Sequence, residues 1–437
     1  MTEKCDVLVI GGGPAGSTAA ALLAARGRSV VVIEKDRHPR FHIGESLLPS
    51  TMPLLERLGV LEEVRRIGIP KYGAEFIRPG DQRTVTFDFG DAWHKTWTST
   101  FQVRRSEFDH LLLRNAAASG ASIHEGCRVT HVRTQDGGAD VHVRQPDGLR
   151  RYWRASWVID ASGRDALLAT RMKLKRRNAR HASTAIFGHF TGARRLPGRA
   201  EGNISIFWFA HGWFWFIPLS DGTTSVGAVC WPYYLRSRRV PTSQLLLETI
   251  ALCPALAQRL KDARLLEPAV ATGNYSYAAE RMHGERFFLA GDAFAFIDPV
   301  FSSGVHLAMN SAALAADAID VALADPAAGR VELDAVERRV RRGLRTFEWL
   351  IYRMSTPAIQ HLFMNPSERF GLQPAMTSIL AGDVYGDRAI DLRMRIFRAL
   401  YYMVALRYLR RTAAHFFRRQ RWLRSARVAE SVESASS

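Results

Sequence analysis

Cysteine is scarce: Cys5, Cys127, Cys230 and Cys253 are the four among 437 residues. They stand far apart and form no C-x-x-C pair, so neither a disulfide framework nor a thiolate metal site is expected. Buried free thiols in a reducing cytoplasm are the expected state. Long apolar runs are missing too; none reaches the roughly 18 residues that a spanning helix needs. The N-terminus has no basic stretch ahead of an apolar core and cleavage site, and so does not read as a signal peptide. Acid is absent from one long stretch: Leu392 to Arg427 holds eleven arginines and no Asp or Glu. Well over half of the formal net charge of +18 therefore sits near the C-terminus. No nucleic-acid-binding motif accompanies it, so nucleic acid is not an expected partner.

The rest of the composition is that of a soluble globular chain, 47% hydrophobic and 23% charged. The length suggests two or three structural units.

Residues 5–10 (CDVLVI) are short, apolar and β-branched, the pattern of a buried parallel strand. Gly11-Gly12-Gly13-Pro14-Ala15-Gly16 follows, then a helical run that Gly27 terminates, then SVVVIEK, a second strand ending at Glu34. Strand, Gly-x-Gly-x-x-Gly, helix, strand and acid form a complete dinucleotide-binding unit. Gly11 allows the tight turn, Gly13 lets backbone approach a pyrophosphate, and Gly16 lets the helix pack on the sheet. The amides and dipole at the helix start favour phosphates. Glu34 lies 23 residues after Gly11, placed to accept ribose hydroxyls.

Two later segments separate FAD from NAD. WVIDASGRDALLA (157–169) is a strand ending at Asp160. Residues 286–319 read as a strand, the pair Gly291-Asp292, a loop and a long helix. With these the chain resembles the FAD enzymes related to aromatic hydroxylases. The resemblance implies that Gly291-Asp292 contacts the flavin ribityl and pyrophosphate, and that Arg105, with Arg104 as fallback, reaches the cofactor from the start of a helix. It likewise assigns Ala15, Lys35, Glu45, Ser46 and Gly304 to cofactor binding.

Three features narrow the resemblance to flavin-dependent halogenases. Trp213-Phe214-Trp215-Phe216-Ile217-Pro218 is W-x-W-x-I-P, and strand alternation puts Trp213 and Trp215 on one face. Lys71, in IPKYGAEF, follows Gly44-Glu45-Ser46-Leu47-Leu48-Pro49 as the family's lysine does. A lysine in a loop is otherwise only a solvated charge. The run from Asp298 to His306 opens a helix with small residues whose amides lack intrahelical partners, an anion site by construction. In the family, backbone amides hold chloride here, which maps onto Ser303 and Gly304. Either serine can also serve as an N-cap, and His306 reads as a packed residue rather than a base. Halogenases of free tryptophan carry a glutamate where this chain has Phe301. The resemblance therefore points to the branch acting on phenols and pyrroles, free or tethered to a carrier protein. SILAGDVYG (378–386) resembles that branch more weakly.

The expected fold is α/β: a Rossmann-type FAD-binding domain (1–75, 101–169 and 276–330), a largely antiparallel substrate domain (76–100 and 170–275), and a helical, Arg-rich region (331–437). Trp213, Trp215 and Phe301 line the expected substrate chamber, with Lys71 as the catalytic residue. A second glycine fingerprint for NAD(P)H is missing, so FADH2 is expected from a separate flavin reductase, with O2 and chloride or bromide as co-substrates. Arg410-Arg411, Arg418-Arg419 and Arg421, with Phe416, Phe417 and Trp422, read as a solvated basic face, a docking surface for an acidic carrier protein, or, less favoured, a membrane-surface anchor. Competing functions are an aromatic or polyketide monooxygenase, a reductase of isoprenoid double bonds, and a non-enzymatic FAD-binding regulator.

Overall fold

A computed structural model describes residues 2–409 except 81, 136, 179–182, 237–239 and 274–275, together with 413, 414, 417 and 421. Most of the C-terminal clusters singled out above (Arg410-Arg411, Phe416, Arg418-Arg419, Trp422) lie outside the described residues. The chain forms two compact units. The first is Met1–Ile67, Val103–Arg177 and Tyr277–Leu344; the second is Gly68–Gln102, Asn178–Ser276 and Arg345–Ser437. The C-terminal helices thus divide between the two units and do not form a third.

The core of the first unit is a mixed sheet. Strand Thr2–Ile10 lies parallel between Val30–Ile33 and Arg150–Asp160; Ser122–His124 extends one side and Phe287–Leu289 the other, also parallel. Val7, Leu8, Val9 and the whole of Val30–Ile33 are buried, because helices cover both faces of such a strand. Antiparallel strands Arg128–Gln135 and Gly138–Arg144 pair onto Arg150–Asp160. Helix Pro14–Ala24 starts with proline at its first turn and is buried along its whole length. It stops as expected at Gly27, whose φ of +80° suits only glycine without strain. Helix Gly304–Ala324 is long and apolar enough to cross a membrane. Its side chains Met309, Ala312, Ala315, Ala316 and Ile319 are nevertheless buried, and Arg26, Arg28 and Arg57 pair with its Asp317 and Asp320. That is the packing of a core helix.

The second unit is built on a largely antiparallel sheet, in the order Arg264–Leu265, Thr184–Thr191, Thr224–Cys230, Gly212–Pro218, Ile204–Phe209, Gly73–Ile77 and Thr84–Asp88. One pair, Ile204–Phe209 with Gly73–Ile77, is parallel. Alternation sends Phe207, Phe209, Phe214, Phe216, Val226 and Ala228 into a core with Leu245, Leu246, Ile250 and Leu256 from two helices. A separate two-stranded ladder joins Ile69–Lys71 to Thr100–Gln102. Helices Pro357–Met364, Leu372–Leu380 and Arg388–Arg407 complete the described part.

Candidate active site

In the first unit, strand Thr2–Ile10 ends at Gly11, whose φ is +103° and whose added Cβ would lie 2.4 Å from the Ala161 carbonyl oxygen. A Cβ on Gly16 would come within 1.8 Å of the Gly11 carbonyl oxygen. Both positions therefore require glycine. At Gly13 the same construction meets only the Arg40 guanidinium, at 3.6 Å, leaving that side of the turn free for a phosphate. Pro14, Ala15 and Gly16 form the helix start, where backbone amides have no intrahelical acceptor.

Buried Glu34 accepts hydrogen bonds from the Gly12 amide at 2.6 Å and the Asp36 amide at 2.8 Å. Each oxygen retains a lone pair that a ribose hydroxyl can use. Lys35 is half-exposed and pairs with Asp165 at 2.5 Å. Gly44 turns with φ +103° ahead of buried Glu45 and Ser46. Arg105 opens helix Arg105–Ala118 and is buried. Its guanidinium donates to both Asp109 carboxylate oxygens at 2.7 and 2.9 Å and to the Ile43 carbonyl at 2.8 Å. What the structure shows for Arg105 is a clamp on the Gly44 turn. Its charge, with burial, depresses His42 to about 4. Burial works against ionisation of Asp109, but the Arg105 charge prevails and keeps that carboxyl below its ordinary value.

Gly291, at φ +57°, brings the Gly-Asp turn against the cradle: an added Cβ would lie 3.5 Å from Ala15 and 3.0 Å from Ala308 of the long helix. Burial raises Asp292 to about 6 against the pull of Arg105 and Arg164. Phe301 is buried in a short turn, and Ser302 adopts φ +56°. Ser303 precedes helix Gly304–Ala324. It occupies the N-cap position, but its hydroxyl is buried without a hydrogen-bond partner and does not cap the helix. Among the described residues, no hydrogen bond takes up the Ser303, Gly304 or Val305 amide. A Cβ on Gly304 would meet nothing within 4 Å. Donors, a helix dipole and open space coincide there, the composition of an anion site. His306 is buried and held down to about 4 by desolvation, hence neutral.

In the second unit, Lys71 ends strand Ile69–Lys71 and is 1% exposed. Burial lowers its amine from 10.5 to about 7. The Phe89 ring lies 5.3 Å from Nζ, and the Asn203 side-chain oxygen accepts from the next two amides, Tyr72 and Gly73, both at 2.8 Å. Trp213 and Trp215 are buried with ring centroids 6.1 Å apart. Trp215 donates to Ser225 at 3.1 Å, and its ring covers Gly227, where a Cβ would approach within 2.3 Å.

The predicted residues thus fall into two groups. The glycine turn, Glu34, Lys35, Glu45, Ser46, Arg105, Asp292, Phe301, Ser303 and Gly304 belong to the first unit; Lys71, Trp213 and Trp215 belong to the second. Arg40 was missed. Its only signal was a basic side chain between the acid-ended strand and the G-E-S segment, which spacing alone does not assign.

The fit of the glycine turn, Glu34 and the Gly-Asp segment defines an FAD-binding flavoprotein, and residues 4–348 match the family model of the FAD binding domain. The 1H-pyrrole-2-carbonyl-[peptidyl-carrier protein] chlorinase of Pseudomonas fluorescens is 30% identical over 88% of this chain and 91% of its own. A tryptophan 2-halogenase of Chondromyces crocatus is 38% identical over 73% of this chain; the match spans 62% of that longer relative. A solved structure of a myxobacterial chondrochloren halogenase, a variant of FAD-dependent halogenases, is 31% identical, covers 92% of this chain and 97% of its own, and superposes with a TM-score of 0.77. The chain belongs to the flavin-dependent halogenases within this FAD-binding superfamily.

Proposed function

We propose that the enzyme halogenates an electron-rich phenol or pyrrole ring, using FADH2 from a separate flavin reductase, O2 and chloride or bromide. The observation that carries this reading is Lys71, a fully buried lysine whose amine titrates near neutrality. Reduced FAD, when bound, supplies with oxygen the oxidation of halide to hypohalous acid. The residues of the chain do the rest. Gly11, Gly13 and the start of helix Pro14–Ala24 hold the pyrophosphate, Glu34 the ribose, and Asp292 the ribityl side. Ser303 and Gly304 present amides to the halide. Lys71 receives the hypohalous acid by hydrogen bonding or as a chloramine, and both ammonium and free amine are accessible to it near pH 7. Trp213 and Trp215 wall the substrate chamber and exclude water.

Phe301 supports phenol or pyrrole over free tryptophan, since no carboxylate stands there to orient an amino acid's ring. The relative named for tryptophan keeps indole among the rings to assay. The carrier-protein chlorinase, which matches over most of both chains, supports a tethered substrate, with the Arg-rich C-terminal stretch as the docking face for an acidic carrier.

The test is product mass spectrometry with reduced FAD, O2 and chloride or bromide, offered free and carrier-bound phenols and pyrroles. A halogen isotope pattern is expected; a product heavier by one oxygen alone would make this a hydroxylase. Lys71→Ala should abolish halogenation with FAD still bound. A variant that halogenates at the wild-type rate removes the lysine from the mechanism.

A further inference from the structure

Lys71 does not stand alone on its strand. In the ladder joining Ile69–Lys71 to Thr100–Gln102, Lys71 is directly opposite Thr100, and Ile69 is opposite Gln102. Side chains directly opposite in an antiparallel pair leave the ladder on the same side, with Cβ atoms about 5 Å apart. Residues two apart on one strand share that side. One buried face therefore carries Lys71, Thr100 and Gln102.

Thr100 and Gln102 are both fully buried. The Gln102 amide nitrogen donates to the Gly202 carbonyl at 2.9 Å, but its side-chain oxygen has no partner. The Thr100 hydroxyl makes no hydrogen bond at all. A buried polar group left this way is destabilising, so it calls for a reason. Other buried threonine hydroxyls share that condition, those of Thr18, Thr51, Thr224 and Thr377. Among these, Thr100 is the one in register with Lys71. A strand residue also has no carbonyl four positions back to bond, the usual outlet of a threonine in a helix. The backbone offers little freedom to relieve the arrangement: Asn203 pins the two amides after Lys71, and a Cβ on Gly202 would lie 2.1 Å from the Pro70 carbonyl oxygen.

We propose that Thr100 is a positioning residue: its hydroxyl makes the second hydrogen bond to the oxygen of the hypohalous acid held by Lys71, turning the halogen outward to the ring. The proposal rests on the role given to Lys71 above. The step it serves balances. The ring carbon attacks the halogen, so the carbon–halogen bond forms and the oxygen–halogen bond breaks. The oxygen leaves as hydroxide, takes a proton from the Lys71 ammonium and departs as water. The ring proton then passes to the free amine, restoring the ammonium. Two hydrogen bonds fix the direction of a diatomic fragment that one bond would leave swivelling, and both hold it against escape.

The test needs no knowledge of the arene. Full-length protein with its FAD reduced is mixed with oxygenated bromide in a single turnover, and monochlorodimedone in solution traps hypobromous acid as it escapes. The variants are Thr100→Val, isosteric and without the hydroxyl, Thr100→Ala as a second truncation, Thr100→Ser and Lys71→Ala. Flavin absorbance confirms that each is folded and loaded. Losing one hydrogen bond should speed escape about tenfold in Thr100→Val and Thr100→Ala. Thr100→Ser should stay close to wild type, and Lys71→Ala should leak at least as fast as Thr100→Val. Wild-type escape from Thr100→Val beside fast escape from Lys71→Ala overturns the Thr100 assignment alone. Equal leakage from the serine and valine variants reduces Thr100 to packing and also overturns it. Wild-type escape from Lys71→Ala overturns the lysine reading on which it stands.

Discussion

Replacing Lys71 with methionine should stabilise the protein while abolishing halogenation. The side chain is 1% exposed, and burial brings its amine from 10.5 to about 7. Each unit is worth about 1.4 kcal/mol, so holding this lysine inside the fold is destabilising by on the order of 5 kcal/mol at or below pH 7. Between the two pKa values the unfolded chain binds the extra proton, so wild-type stability rises with pH through that window, by roughly 1.4 kcal/mol per unit. The penalty is complete below pH 7 and has vanished by pH 10.5. Methionine keeps the unbranched shape and removes the charge, forfeiting the contact with Phe89. A net gain on the order of 2–5 kcal/mol at pH 7 follows, read as an unfolding transition several degrees higher by tryptophan fluorescence. The decisive measurement is the wild-type-minus-variant difference from pH 6 to pH 10, which should shrink steadily above pH 7. A variant less stable than wild type at pH 7, or a difference flat across that range, would refute the argument that burial lowers the Lys71 amine to about 7.

Two further outcomes test the rest of the structure. Gly304→Ala adds a methyl group where nothing lies within 4 Å. The fold and FAD content should survive while the chloride concentration for half-maximal rate rises about tenfold, the equivalent of 1.4 kcal/mol; an unchanged chloride dependence would move the halide elsewhere. Glu75→Ala breaks a buried network in which Arg259 reaches the Glu75 oxygens at 3.1 and 2.8 Å and Ser205 donates at 2.6 Å. Removing one partner of such a pair should lower stability by about 3–5 kcal/mol in denaturant titration, and a loss under about 1 kcal/mol would show the arginine finding water instead.

The two units differ in how much of them a sequence can disclose, and the reason is the range of the forces involved. Gly11, Gly16 and Glu34 act within a span of 24 residues. Their constraints are steric and local, so motif and spacing report them faithfully, as they report where the helix stops at Gly27. The second sheet was likewise expected to be largely antiparallel, although its strands Ile204–Phe209, Gly212–Pro218 and Thr224–Cys230 are buried at every residue and show no inside–outside period. What the chain does not spell out is which distant strands meet. Ile204–Phe209 lies parallel to Gly73–Ile77, and Glu75 finds Arg259 across 184 positions, through pairings that no period announces. Arg105 shows the same limit from the other side: its place at a helix start says nothing of Asp109, one turn on, or of the Ile43 carbonyl, both of which accept from its guanidinium. Thr100 is the sharpest instance. Alone it is an unremarkable strand residue 29 positions after Lys71, and only the register of a short ladder puts it directly opposite that lysine. Chemistry carried by one residue can be read from a motif; chemistry that needs two side chains on one face depends on register, which the fold decides.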